Sequence, residues 1–197
     1  MTSTTRPALR ADAARNRAAI VSAAAELMAR EGTAVSVEAV ARAAGVGSAT
    51  LHRRFPSAAA LVEAVLEQRM ADYADVTARA AEQARTEPWD ALAGYLGTLV
   101  DLMATDRALG QVISSPAAVS DAFAAHRARA FTASATLVRR ARAAGVVRPD
   151  LVHTDLLLLS QAVSGLTAAD RDGAPAAARR LLTLFLDAVR AASTTDR

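Results

Sequence analysis

The stretch AVARAAGVGSATLHRRF, Ala39 to Phe55, decides how the rest of the chain is read. Two short runs with apolar residues at helical spacing flank a glycine, and two arginines stand near the end. Ala41, Gly45 and Leu51 lie at offsets of zero, four and ten. The small side chain lets two helices approach, the glycine permits a sharp turn, and the leucine packs beneath. This spacing predicts a helix-turn-helix, although taken alone it also suits a plain helical hairpin. In the first reading, Gly47 or Ser48 caps the second helix. Its outward face carries Ser48, Ala49, Thr50, His52, Arg53 and Arg54, free to meet a major groove, with the helix N-terminus and Ser36 near phosphates.

The flanks agree. Before the stretch, Ile20, Ala24, Leu27 and Met28 recur at helical spacing from Ala13 to Glu31, and Gly32 is placed to stop that helix. Ser36 is a good N-cap for a short helix through Ala44, with Val37, Val40 and Ala41 inward. After it, Leu51 and Phe55 share a face until Pro56 interrupts. Ser57 then opens a long amphipathic helix, striped by Leu61, Val65, Leu66, Met70, Tyr73 and Val76, to about Arg85. Beyond it, Pro88 sits where a first-turn proline is tolerated, ahead of Trp89, Leu92, Leu96, Leu99, Val100 and Met103. Three more helices are expected: Ala118 to Ala144, about Asp150 to Ala169, and Pro175 to Ala192. No strand-like alternation or fixed-period repeat interrupts them.

Composition points the same way. Of 197 residues, 52% are hydrophobic but only 4% aromatic, with alanine in excess, which favours packed helices over a sandwich rich in β-branched and aromatic residues. The expected fold class is all-α. It comprises an N-terminal three-helix helix-turn-helix domain and a larger C-terminal helical domain. The expected boundaries are a flexible arm over residues 1–12, the DNA-binding domain over 13–58, and the C-terminal domain over 59–197.

Charge and motif inventory narrow the function. Net charge is +3, but residues 1–60 hold eight arginines against four acids, so the basic end faces a polyanion. No cysteine is present, which excludes a disulfide framework and the common structural zinc patterns and fits a cytoplasmic setting. The opening residues have charges but no apolar core, and the apolar run Leu156 to Ala169 is too short and polar to span a bilayer, so no membrane partner is expected. His52, His126 and His153 are far apart and lack H-E-x-x-H spacing, so no metal site is expected. There is no G-x-S-x-G and no phosphate-binding glycine loop, and Asp101 and Asp106 do not share a helix face. The chain reads as a non-enzyme without a cofactor.

At this point the sequence resembles the TetR family of transcriptional regulators. AAIVSAAAELMAREGTAVSVEAVARAAGVGSATLHRRFPSAAALVEAV is similar to that family's DNA-binding domain. The first helix, the "G…S…" lead-in, the "A…AGV" turn, the "TLYRHF-PSK…L" segment and the start of the fourth helix come in order. The segments PWDAL and RARAAGVVRPDL are similar to the SbtR-like C-terminal class. The resemblance implies a homodimer, probing a near-palindromic double-stranded DNA operator with Arg15, Ser36, Gly47, Ser48, Ala49, Thr50, His52, Arg53 and Arg54. It also implies repression, relieved when a small-molecule effector enters the C-terminal domain.

The candidate cavity residues are Tyr73, Trp89, Tyr95, Met103, Phe123, His126 and Phe131, because ligand pockets combine apolar walls with a few polar tips. For the dimer interface the resemblance points to the last two helices, with Leu156, Leu159, Val163, Leu166, Leu182, Phe185, Leu186 and Val189. Core packing is the competing role for both sets. Helix four, leading from Pro56 to Tyr73, is the expected lever between effector and recognition helix.

Two departures stand out. His52 replaces the usual tyrosine, and Ala58 replaces the usual lysine that anchors a phosphate, leaving Arg53, Arg54, Arg10, Arg15 or Arg17 to compensate. The competing functional class is a helical small-molecule carrier or protein-interaction module that has lost operator binding. Salt-dependent, sequence-selective DNA binding distinguishes the two.

Overall fold

The computed structural model describes residues 5–31, 35–105, 120–169 and 172–191, and eight α-helices run through them. In chain order these are α1 (Thr5–Glu31), α2 (Val37–Ala43), α3 (Ser48–Arg54), α4 (Ala58–Gln83), α5 (Pro88–Thr105), α6 (Asp121–Ala143), α7 (His153–Ala169) and α8 (Ala174–Val189). The all-α class is as the sequence predicts.

Helix α1 begins earlier than expected. It takes in residues 5–12, read above as a flexible arm. Alanine and arginine are strong helix formers, and Pro7 falls in the first turn, where an N–H has no intrahelical partner to lose. Gly32, the expected stop, lies outside the described residues, as does the start of the helix expected from Ala118.

The chain divides into two compact units, Met1–Gln68 and Arg69–Arg197, with the division inside α4 rather than ahead of it. The reason is packing. Leu61, Ala64 and Val65, in the first turns of α4, complete the N-terminal core formed by Ile20, Ala24, Met28, Val40, Leu51 and Phe55.

Glycine sets the turn in that unit. After α2, Gly45 adopts φ +66°. Its N–H donates to Arg42 O (3.2 Å), and the Val46 N–H donates to Ala41 O (3.0 Å). This is the paired Schellman closure of a helix end, and it satisfies carbonyls that would otherwise be orphaned. Gly145 (φ +68°) ends α6 in the same way, with Val146 N–H to Ala141 O.

In the C-terminal unit, α5 is the most buried element. Leu92, Leu96, Leu99, Val100 and Met103 fall on one face at helical spacing and point inward. They pack with Leu137, Val138 and Ala141 of α6, Leu156, Leu159 and Val163 of α7, and Ala178 and Val189 of α8. Burying each leucine contributes about 1.5–3 kcal/mol. Helix α7 starts at His153, three residues after the expected Asp150. Asp155 accepts from the Val152 N–H (2.9 Å) while its own N–H donates to Val152 O, a reciprocal cap that places the helix start. A single antiparallel bridge, Val147 with Arg190, ties the end of α8 to the loop after α6.

Candidate functional site

The N-terminal unit presents its polar face on α3. Leu51 is fully buried and Phe55 nearly so, which leaves Ser48, Ala49, His52, Arg53 and Arg54 exposed and Thr50 half-buried. The arrangement follows from helical geometry, since residues 51 and 55 lie one turn apart on the inner side. The helix is therefore held from below by two apolar anchors while its basic side faces solvent.

Two contacts orient the cations. Arg53 Nη2 donates to Thr50 Oγ1 at 3.2 Å, one turn back on α3. The Arg17 guanidinium of α1 lies 5.6 Å from the centre of the Phe55 ring, a cation–π distance. Arg15 pairs instead with Asp12 on the same helix. A phosphate at Arg15 would compete with that carboxylate.

Ser36 caps α2 as its sequence position predicts, and its hydroxyl proton is engaged as well. Its Oγ accepts from the Ala39 N–H (3.2 Å), capping α2, and donates its only proton to Glu38 Oε2 (2.8 Å). The Ser36 hydroxyl, aided by the charges of His52 and Arg42, holds the Glu38 carboxyl below the usual carboxylate range. Ser36 thus shapes the turn and has no proton left for a phosphate in this arrangement.

In the C-terminal unit a cavity of about 430 Å³ opens between α4, α5, α6 and α7. Of the expected lining, Tyr73, Tyr95 and Phe131 face it; Trp89, Met103, Phe123 and His126 do not. Met103 and Phe123 are buried in packing. Trp89 is half-buried, with the Arg190 guanidinium 4.5 Å from its ring centre, and His126 is half-buried on α6. Large apolar side chains filled the core first, as their transfer free energy dictates.

The polar part of the cavity is a connected cluster. Tyr73 and Tyr95 hydroxyls are 2.6 Å apart, and Thr77 donates to Tyr73 O. Ser134 Oγ lies 2.6 Å from His153 Nε2, and the Phe131 ring meets the imidazole edge-on at 4.3 Å. Burial pushes the Tyr73 hydroxyl up and the Tyr95 hydroxyl well up from the ordinary tyrosine value. His153 and Ser134 were missed in the sequence. The available signal was Ser134 itself, a polar residue in the inward stripe of Phe123, Ala130, Leu137 and Val138.

Burial also pushes the His153 imidazole down, favouring its neutral form. The unfolded chain then takes up a proton more readily than the folded one, so stability falls as pH drops through about 6.5. Thermal melts at neutral and mildly acidic pH should show this fall, and His153→Gln should make it shallower. An identical fall in the variant would exclude His153 as its source.

The expected interface set also divides. Leu156, Leu159, Val163 and Val189 are buried in the protomer's own core, with Leu159 and Val189 also at the floor of an open groove between the two helices. Leu182, Phe185 and Leu186 pack against that core and are partly covered, and Leu166 is half-buried. The most exposed large apolar residues of the same two helices are Leu158, 62% exposed, and Leu184, 49% exposed. An open groove of about 530 Å³, lined in part by Leu158, Leu181, Phe185 and Ala188, runs between the helices. Among the described residues no cluster is placed to hold a metal ion, and no helix is long and apolar enough to cross a membrane.

Comparison with known proteins bears on both units. Residues 20–65 match the pattern described as bacterial regulatory proteins, tetR family, and residues 87–191 match that of the transcriptional regulator SbtR-like, C-terminal domain. A TetR transcription regulatory protein from Mycobacterium vanbaalenii is similar at 31% identity and a TM-score of 0.70, covering 92% of this chain and 99% of its own. A TetR transcriptional regulator from Streptomyces coelicolor is similar at 30% identity and a TM-score of 0.67, covering 90% and 99%. Nothing among curated protein sequences matches. The helix-turn-helix built around Gly45, the family pattern matched over residues 87–191 and the near end-to-end likeness to these two structures together place the chain in the TetR family of transcriptional regulators.

Proposed function

We propose that the protein is a homodimeric repressor that holds a near-palindromic operator and releases it when a small molecule fills the C-terminal cavity. The observation that carries the DNA-binding part is the exposed basic face of α3, held from beneath by Leu51 and Phe55. Arg53, already turned along its helix by Thr50, is its central cation, with Arg54 beside it and Arg17 held over Phe55. Arg17 is the arginine best supported to compensate for Ala58. Two such faces, about 34 Å apart across a two-fold axis, suit successive turns of the major groove.

The exposed leucines of α7 and α8 support dimerisation, since apolar side chains this exposed are stabilised by burial against a second copy. The cavity supports release. An effector shifts the equilibrium only if it binds the non-operator conformation more tightly, because equal affinity for both conformations shifts nothing. The covalent route from cavity to helix-turn-helix is α4, which carries Tyr73.

The test is binding to DNA fragments from around the protein's own gene at two salt concentrations, with Arg53→Ala as control. Selective, salt-sensitive binding is expected. The variant should lose about 1–3 kcal/mol and relax sequence preference if Arg53 reads a base, or lower the salt slope by about one if it holds a phosphate. Unchanged affinity would remove Arg53 from the interface. Absence of any selective complex, with the protein folded and dimeric, would favour the carrier reading.

A further inference from the structure

Between Val35 and Ala60 the chain holds one carboxylate, Glu38, in a stretch that otherwise carries Arg42, His52, Arg53 and Arg54. Glu38 is exposed, in the first turn of α2. Its Oε2 accepts the Ser36 proton at 2.8 Å, and Ser36 Oγ accepts in turn from the Ala39 N–H, so the carboxylate is anchored to the helix cap. Helix α2 packs on α3, and the charges of His52, on the outward face of α3, and of Arg42 both act on this carboxylate. The fixed acid therefore stands at the margin of the surface that presents His52, Arg53 and Arg54.

Such a group is costly on a face that meets a polyanion. The Ser36 hydroxyl, ahead of the Glu38 backbone N–H and the charges of His52 and Arg42, holds the carboxyl below the usual carboxylate range, so it stays ionised at neutral pH. A phosphate brought near it is repelled whatever the base sequence. The base edges of the major groove are different, because cytosine N4 and adenine N6 are hydrogen-bond donors there while guanine and thymine offer acceptors. Adenine N6 is flanked by the N7 acceptor, which leaves cytosine N4 the better partner for a carboxylate. An acceptor-only side chain thus separates sequences that satisfy it from sequences that desolvate it without a partner.

We propose that Glu38 is a specificity-determining residue of the DNA interface, accepting from the N4 amino group of a cytosine in each half-site and disfavouring sites that lack one. This assignment rests on reading the α2–α3 surface as the operator-binding face. Ser36 is then a positioning residue, aiming the carboxylate instead of holding a phosphate. Ser48 and Ala49, at the start of α3, are too short for bidentate base contacts, so discrimination falls to the longer side chains beside them.

The experiment is selection of binding sites from random duplex DNA by the full-length protein and by Glu38→Gln, followed by titration of the selected duplex and of sonicated genomic DNA at several salt concentrations. Glutamine keeps the side-chain length and an oxygen for Ser36, so helical content by circular dichroism should be unchanged. The unaltered protein should select sites with cytosine at one position of each half-site that the variant no longer requires, the other positions being shared. Replacing that cytosine should weaken binding of the unaltered protein about tenfold and leave the variant little affected. On genomic DNA the variant should bind more tightly, with a salt slope steeper by about one. Glu38→Asp, which keeps the charge but withdraws it by one methylene, should keep the original slope and weaken the cytosine preference. Identical selected sites, or a relaxed position that holds a base other than cytosine, would overturn the assignment. A gain in affinity that is equal on every sequence would overturn it too, marking Glu38 as net charge alone. If the unaltered protein selects no site at all, the operator-binding reading falls with the assignment.

Discussion

Leu158→Glu is expected to yield a folded monomer that has lost most of its operator affinity. Leu158 is the most exposed of the large apolar residues in the described chain, with Leu184 on the adjoining helix and Val152 just ahead of α7 also open. A two-fold interface presents the same patch twice, so one substitution places two carboxylates in the contact. Each desolvated charge without a partner costs several kcal/mol, which exceeds the gain from the remaining apolar area. Within the protomer the change is mild, because the Leu158 side chain leaves the core to Leu156, Leu159 and Val163. Helical content by circular dichroism should therefore be preserved while sedimentation reports half the mass. Operator affinity should drop about 10²–10⁴-fold, since the second half-site is no longer reached intramolecularly. A variant that remains dimeric would move the interface away from the α7–α8 face.

Leu51→Ala should remove DNA binding by a different route. Leu51 has no exposed surface and is the only fully buried residue of α3, a helix of seven residues with no stability of its own. Truncating a buried leucine costs about 2–5 kcal/mol, and the N-terminal unit is small enough that this is a large share of what holds it together. The C-terminal unit has a separate core and should survive. The single tryptophan, Trp89, lies there and reports on it independently. The expected outcome is normal Trp89 fluorescence at room temperature together with rapid amide exchange in α3 and no operator complex. Retained operator affinity with protected α3 amides would show that α3 is not held through Leu51.

These two variants also mark how far the sequence could be read. Around Leu51 almost everything was legible. The offsets of Ala41, Gly45 and Leu51 describe a local unit in which each contact joins residues a few positions apart, and turn chemistry and helical period suffice to place them. The positive φ at Gly45 and the outward placement of His52, Arg53 and Arg54 follow directly. The use of the Ser36 proton was less accessible. Whether that hydroxyl serves Glu38 or a phosphate depends on a side-chain geometry that spacing does not specify.

Around Leu158 and the cavity, local pattern was insufficient. A helix rich in leucine announces that it buries a face, but which residues face the protomer's core and which face outward depends on rotation about the helix axis, and packing against α5 and α8 sets that rotation. Hence Leu156 and Leu159 go inward while Leu158, two residues after the first and one before the second, goes out. The same reasoning accounts for the cavity. Aromatic residues were the visible candidates, yet Met103 and Phe123 filled the core, and His153 and Ser134, from different helices, closed a hydrogen bond that no sequence spacing predicts. By itself, then, the sequence determined the all-α class, the helix-turn-helix and its basic face, because these arise from short-range periodicity and turn chemistry. Only the tertiary structure decided the cavity lining and the outward face of α7 and α8, because both depend on contacts between helices distant in the chain.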